Sequence, residues 1–531
     1  MRKRILHNVA SNYAAMLLSL GVGLLLTPFV LARLGPTIYG LWALVGSIVS
    51  YGSLLDFAIS AAIIKYVAEH RARGEHAAAR EMVATAVAVY LVVGAIVAAL
   101  TIAVAPAVAS LIQVPPDQRA TVARLVLLMG IGVALAIPCS TPTAVLRGLH
   151  RFDLAGLLIV VSTLVRATGI VAVLLLGGGV LGLAAVNIAV LVLMQAPSVW
   201  LIYRVAPELR FGVRDASITR LRRVLSFSSS LAVMNTAGHL QTKTDEIVIG
   251  ALMPLRAVTP YAIAHRLSDL PQILTDQFMR VLLPIASELE AGVQRERLLR
   301  LYITATRLTL VAFLPLGAAL TVLAAPILTL WVGAEYADYS YLVGLLTLAS
   351  LIDTSQWPGG AVLQGMARHR PVAGLSVVAG VANLALSVIL CRRLGLMGVA
   401  IGTLVPTAII SLGLLQPYVM RVVGASAQQM LREVYLPAFL PVPVMTLTLY
   451  GLRSAFDPAS FAGVIAVAGV GTVTYVGAYL GMTAPADDRE IIGRLLGTIF
   501  RLRGQRGEGA AREERLAAEP RRRTGAERGP T

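Results

Sequence analysis

The stretch from Leu240 to Arg280 sets Lys243, Asp245, Glu246, His265, Arg266, Asp269 and Asp276 into surroundings apolar enough to lie in a bilayer. On a helix, Tyr261, His265, Asp269, Gln272, Asp276 and Arg280 follow one another at steps of three or four and form a single polar stripe. His239, Lys243 and Glu246 repeat the arrangement on the preceding helix. A charge at membrane depth costs about 2.5 to 3.5 kcal/mol on insertion scales unless it is paired or faces water. Such a stripe therefore reads as one wall of a hydrated cavity. The same residues have plainer uses. Lys243 can pair with Asp245 or Glu246 at helical spacing, His265 and Arg266 can snorkel outward, and Asp56, one turn before Ser60, can cap a broken helix.

The elements that position these side chains follow from composition. The chain has 531 residues, 57% hydrophobic and 14% charged, with a mean hydropathy of +0.77, which excludes an ordinary soluble domain. An all-α integral membrane protein with about fourteen transmembrane helices is expected, at 8–34, 39–66, 82–112, 122–146, 154–176, 180–203, 225–253, 259–286, 301–331, 340–363, 371–390, 396–420, 434–452 and 461–482. The first of these follows Arg2, Lys3 and Arg4 without a small-residue cleavage site and reads as a retained helix. With the N-terminus in the cytoplasm, thirty-four of the 45 Lys and Arg lie inside and seven outside, so both termini are expected to be cytoplasmic. The net charge of +17 belongs to this bias and to contact with an anionic inner leaflet, not to nucleic acid.

The spans divide into an N-terminal six-helix lobe (1–203), a basic cytoplasmic linker (204–224), a second six-helix lobe (225–420), an extra helix pair (421–483) and a tail (484–531). The tail opens amphipathically, with Ile491, Ile492, Leu495, Leu496 and Phe500 against Arg489, Arg494 and Arg501, and continues in a sequence with nothing apolar to bury. Two similar layouts in succession suit a transporter with its site between the halves. Catalytic and cofactor signatures are absent. Lys3, Lys65 and Lys243 are the only lysines, no phosphate-binding loop, zinc motif or nucleophile elbow occurs, and Cys139 and Cys391 have neither pairing nor metal spacing. No cofactor and no enzymatic activity are expected, and no external loop is large enough to house a polymerase or ligase site.

The opening of the chain, with Asn8, Asn12, the Leu34-Gly35-Pro36 turn, Tyr39-Gly40-Leu41, Leu55-Asp56-Phe57 and Ile64-Lys65-Tyr66-Val67-Ala68, resembles the start of bacterial polysaccharide biosynthesis proteins. So do Lys243-Thr244-Asp245-Glu246-Ile247-Val248-Ile249-Gly250, Tyr261-Ala262-Ile263-Ala264 and Gly398-Val399-Ala400-Ile401-Gly402-Thr403 in the second half. Those proteins belong to the multidrug/oligosaccharidyl-lipid/polysaccharide exporter superfamily. The resemblance implies two pseudo-symmetric lobes forming a V around a cationic cavity and a flippase for undecaprenyl-linked oligosaccharides in the cytoplasmic membrane. Its partners would be the lipid-linked oligosaccharide, membrane lipids and polysaccharide polymerase or export machinery. On that reading Lys243 and Arg266 face the cargo's phosphates, Asp245, Asp269, His265 and Asn12 are polar partners or gating pairs, and Asp56 is their counterpart in the first lobe. A lipid II flippase is an alternative. There, however, related proteins carry arginines in their first two helices, where this chain has Asn8, Asn12, Ser19 and Thr27, then Asp56 with serines. A cation-coupled small-molecule antiporter is another, and would call for a cavity rich in carboxylates and aromatics.

Overall fold

The computed structural model describes residues 2–111, 119–210, 212, 215–217, 219–224, 243–292, 294–368, 370–456 and 458–490. These residues form helices and no strand. Helix α1 (Arg2–Ser50) carries the first expected span and half of the second. The chain reverses inside it at Gly35, where φ is 74° and ψ 164°, a conformation that a side chain would strain, and Pro36 follows. The second span resumes as α2 (Ser53–Ala72), and the N-terminal half continues through α3 (His76–Leu111), α4 (Arg119–Cys139), α5 (Thr141–Gly148), α6 (Phe152–Leu175), α7 (Gly179–Leu193) and α8 (Gln195–Val205).

The C-terminal half runs through α9 (Asp245–Leu252), α10 (Val258–Ser268), α11 (Leu270–Ala291), α12 (Arg295–Val322), α13 (Ala324–Trp331), α14 (Ser340–Gly365), α15 (Arg370–Leu394), α16 (Leu396–Ile410) and α17 (Gln416–Val423). Two further helical stretches, α18 (Ala427–Phe456) and α19 (Phe461–Thr483), pack on α12.

Ten helical stretches among the described residues are long and apolar enough to cross a membrane. The difference from fourteen has local causes. Tyr13–Ser50 joins most of the first expected span to the first part of the second, the seventh falls largely on 225–242 outside the described residues, and the eighth is divided into α10 and α11. The tenth, α14, is diluted by the polar run Asp353-Thr354-Ser355-Gln356.

Apolar packing fixes the halves. One core lies in the N-terminal half around Ile63, Met82, Tyr90 and Val145, another in the C-terminal half around Leu310, Val362 and Tyr475. A third is shared, with Leu41, Leu44 and Val45 of α1 meeting Val248, Ile249 and Val258 of α9 and α10. Polar contacts close the same end of the molecule. Thr259 Oγ1 donates to the Pro36 carbonyl at 2.5 Å, Trp331 Nε1 donates to the Leu24 carbonyl at 2.8 Å, and Gly40 lies so near the Leu255 carbonyl that a β-carbon on it would come within 2.5 Å. Among the described residues no comparable packing joins α2 or α5 to α11 or α12 at the other end. The cleft between the halves is therefore shut at the end bearing Gly35 and Leu255.

The Gly398 to Thr403 motif also finds its reason in packing. A β-carbon on Gly398 would lie 2.2 Å from the Leu390 carbonyl, and one on Gly402 would lie 2.7 Å from Ser387 Cα. Small residues four apart let α15 and α16 approach backbone to backbone. That approach delivers Thr403 to the site.

Candidate functional site in the cleft between the halves

Helix α9, in the later part of the seventh span, carries two acidic residues, Asp245 and Glu246, in its first turn. Both are buried, Asp245 at 2% exposure and Glu246 at 4%. Helix α10 supplies their partners. Tyr261 donates its hydroxyl to Asp245 Oδ2 at 2.5 Å, and one turn later His265 Nδ1 meets Glu246 Oε1 at 3.0 Å. His265 Nε2 lies 3.5 Å from Asp269 Oδ1, a further turn along. From α16, Thr403 Oγ1 donates to the same Asp245 oxygen at 2.6 Å, and Asn383 Nδ2 of α15 donates to Thr403 at 3.1 Å. The stripe thus ties four helices at one level.

The network is incomplete. Among the described residues, Asp245 Oδ1 and Glu246 Oε2 are buried and find no hydrogen-bond partner. Beside them lies a hollow of about 40 Å³, lined by Asp245, His265, Asp269, Gln272, Asp353 and Thr403 among others. That is room for about two or three waters, and a polar hollow next to an orphaned carboxylate oxygen is where water belongs. Asp353 of α14 lines the hollow too. It accepts from Gln272 Nε2 and Trp357 Nε1, each at 3.1 Å.

The two expected cations stand apart from the hollow. Lys243 is half-buried, within electrostatic reach of Glu246 and His265. Arg266 is exposed, and its guanidinium seats on the other half of the molecule: a β-carbon on Gly23 would come within 2.4 Å of Nη2, and Tyr39 interacts with both Arg266 and Thr27. Tyr39 and Tyr261, which hydropathy alone would allow as interfacial anchors, are both buried in this junction. A third link across the cleft joins Tyr51 to Thr244 at 3.0 Å.

Asp56 is held elsewhere. Its Oδ1 accepts from Tyr90 at 2.8 Å, Ser60 at 3.1 Å and Ser140 at 2.5 Å, within the N-terminal half where α1 gives way to α2 and α4 to α5. The Asn12 side chain lies outside the described residues, as do His239 and the tail from 491. Arg307, isolated in the ninth span, pairs with Asp488 through two contacts at 2.6 and 2.7 Å and donates to the Glu433 carbonyl at 2.7 Å. Asn383, Thr403 and Asp353 are the site residues that stripe counting passes over. Their signal is a polar residue in an apolar span, and the partners lie 20 residues away for Asn383, 81 for Asp353 and 158 for Thr403. Among the described residues no cluster of three His, Cys, Asp or Glu is placed to hold a metal.

Residues 30–341 match the family model described as polysaccharide biosynthesis protein. The chain belongs to this family. It is 21% identical over 438 residues to the uncharacterized membrane protein EpsK of Bacillus subtilis, covering 81% of this chain and 86% of EpsK. It is 20% identical over 198 residues to the probable low-salt glycan biosynthesis flippase Agl15 of Haloferax volcanii, covering 37% of this chain and 42% of that protein. Its fold is that of the lipid II flippase MurJ in an inward closed conformation, with a TM-score of 0.70 at 13% identity over 90% of this chain and 98% of MurJ. An inward-facing multidrug resistance MATE family transporter of the MOP superfamily follows at TM-score 0.66 and 17% identity, over 77% of this chain and 94% of that one. The chain is thus an all-α, multi-pass membrane protein of transporter architecture.

Proposed function

We propose that this protein is a flippase that moves an undecaprenyl-linked oligosaccharide, a polysaccharide precursor, from the inner to the outer leaflet of the bacterial cytoplasmic membrane by alternating access. Family membership and the flippase name of one relative support the substrate class. The observation that carries the reading is Arg266, an exposed guanidinium standing in the cleft with its tip on the opposite half.

A sugar diphosphate cannot cross about 30 Å of hydrocarbon unaided and needs a hydrated groove with cations for its phosphates, while the isoprenoid tail stays in lipid. A hollow of 40 Å³ is too small for a sugar, so cargo contact falls to the cleft, with Arg266 and Lys243 facing phosphate. The Asp245, Glu246, His265 and Asp269 network then holds α9 and α10 in register beneath them. Segments 1–203 and 225–420 act as the rocking lobes, 204–224 joins them in the cytoplasm, 421–483 braces the second, and the tail from 484, tied to Arg307 through Asp488, lies beyond that pair on the inner leaflet. With both termini cytoplasmic, the closed end described above is the outer one, and cargo enters from inside and passes on to polymerase or export machinery.

The test is flipping of a lipid-linked oligosaccharide in proteoliposomes by the double variant Lys243→Gln/Arg266→Gln. Loss of flipping with normal membrane insertion is the expected result. Transport at the wild-type rate would remove both cations from the cargo path.

A further inference from the structure

The chain from Ala206 to Val224 leads from the last helix of the N-terminal half toward the second half. Were it loose, its 19 residues would give the halves a leash of about 22–26 Å r.m.s.. Its described residues are seated instead. Ala206, Leu209 and Val224 are buried, and all three belong to the core of the N-terminal half together with Met82 and Val83 of α3. Leu221 packs against the same core. Among the described residues, none of these four takes part in the shared core or in that of the C-terminal half.

Between the buried ends, polar contacts follow the first turns of α3. The Ser217 backbone N–H donates to Oγ1 of the buried Thr85 at 3.0 Å, and Thr85 in turn donates to the Glu81 carbonyl at 2.6 Å. Arg220 Nε lies 3.4 Å from Glu81 Oε2 and is within electrostatic reach of Glu75. Asp215 takes the Gly212 N–H on Oδ2 at 2.9 Å and turns Oδ1 to Arg80 Nε at 3.8 Å, while Glu208 Oε1 stands 4.0 Å from His76 Nδ1. Acidic groups of the linker thus face basic groups of α3, and its Arg220 faces an acid. Exposed pairs of this kind add little strength but fix register. The buried ends supply the hold.

We propose that the linker is a strap which stays on α3 throughout the transport cycle and, by removing the slack between Val205 and Val224, limits how far the cytoplasmic ends of the two halves can part. The C-terminal half is then tethered to a fixed point at Val224, on the body of the N-terminal half, and not to the end of α8. The proposal rests on the rocking motion of the flippase reading and assigns the linker a part in it, as a stop on inward opening.

Spin-label distances on the full chain in nanodiscs, with Cys139 and Cys391 replaced by alanine, test it with and without undecaprenyl pyrophosphate. Labels at the exposed Ala216 and Arg73 should give one narrow distribution in both conditions, while labels at the exposed Arg73 and Arg297, on opposite halves, should report motion. A distance from Ala216 to Arg73 that changes with the motion overturns the strap. Arg220→Glu, which sets like charges against each other at Glu81, should broaden the first distribution and lengthen the second, and adding Glu81→Arg should recover most of both changes. Distributions unaffected by Arg220→Glu overturn the limit on opening. In proteoliposomes, Thr85→Cys and Ser217→Cys joined by a short, reducible thiol cross-linker should flip a lipid-linked oligosaccharide at the rate of the reduced protein. Flipping that stops on cross-linking and returns on reduction, or failure of the two positions to cross-link, overturns the proposal. A static distance between Arg73 and Arg297 together with no flipping by the parent would instead overturn the flippase reading, and the Ala216 distances and the cross-linking yield would still decide whether the linker is seated on α3.

Discussion

A single carboxylate shows how the site is held. Asp245 receives Tyr261 and Thr403 on the same oxygen, from helices that are distant in sequence, and the residue lines the hollow. Hydrogen bonds to a charged group are worth about 1.5–3 kcal/mol, so Tyr261→Phe and Thr403→Val should each lower thermal stability by about that much. Because the two donors share an acceptor, the double variant should lose less than the sum. Strict additivity in a double-mutant cycle would mean that the hydroxyls act separately. Half of this arrangement could be read from the chain: Tyr261, His265 and Asp269 stand in plain helical order before Asp276. Thr403 and Asn383 could not, because a lone threonine or asparagine in an apolar span carries no spacing to point at its partner, and it is the Gly398 and Gly402 contact that brings them in.

At the scale of elements, hydropathy revealed spans and hid their interruptions. The reversal at Gly35 was visible as Leu34-Gly35-Pro36, whereas the break between α4 and α5 beside Ser140, flanked by Pro138 and Pro142, lies within what hydropathy reads as one span. The extra pair was legible as two apolar runs, while its attachment was not. Arg307 of α12 reaches Asp488, just past α19, in a fully buried bidentate pair that Tyr479 also joins. Removing one partner of a buried pair leaves a charge uncompensated and costs about 3–5 kcal/mol, whereas replacing both by apolar residues is often neutral. Arg307→Met and Asp488→Leu alone should therefore each lower the melting temperature strongly, and the double variant should recover most of the loss. Equal destabilisation by the single and double variants, read by thermal unfolding in detergent, would show that packing and not charge attaches α18 and α19.

For the whole molecule the decisive feature is the seam by which, among the described residues, the halves meet at the end bearing Gly35 and Leu255. The contacts there differ in how they can yield. A methyl group on Gly40 would sit 2.5 Å from the backbone carbonyl of Leu255, which cannot swing away, whereas one on Gly23 would meet only the tip of the flexible Arg266 side chain. Overpacking against backbone forces elements apart, typically at about 1–3 kcal/mol, and an equilibrium between two open states shifts by about tenfold for each 1.4 kcal/mol. Gly40→Ala should thus wedge α1 from the Leu255 turn and populate the state open at that end, while Gly23→Ala should leave closure nearly unchanged. Spin labels at the exposed Arg33 and Arg256 positions report the distance across this seam. A longer distance in Gly40→Ala than in the parent or in Gly23→Ala is expected, and identical distributions in all three would mean that the shared apolar core around Leu44 and Val248, rather than the close approach at Gly40, keeps the end shut.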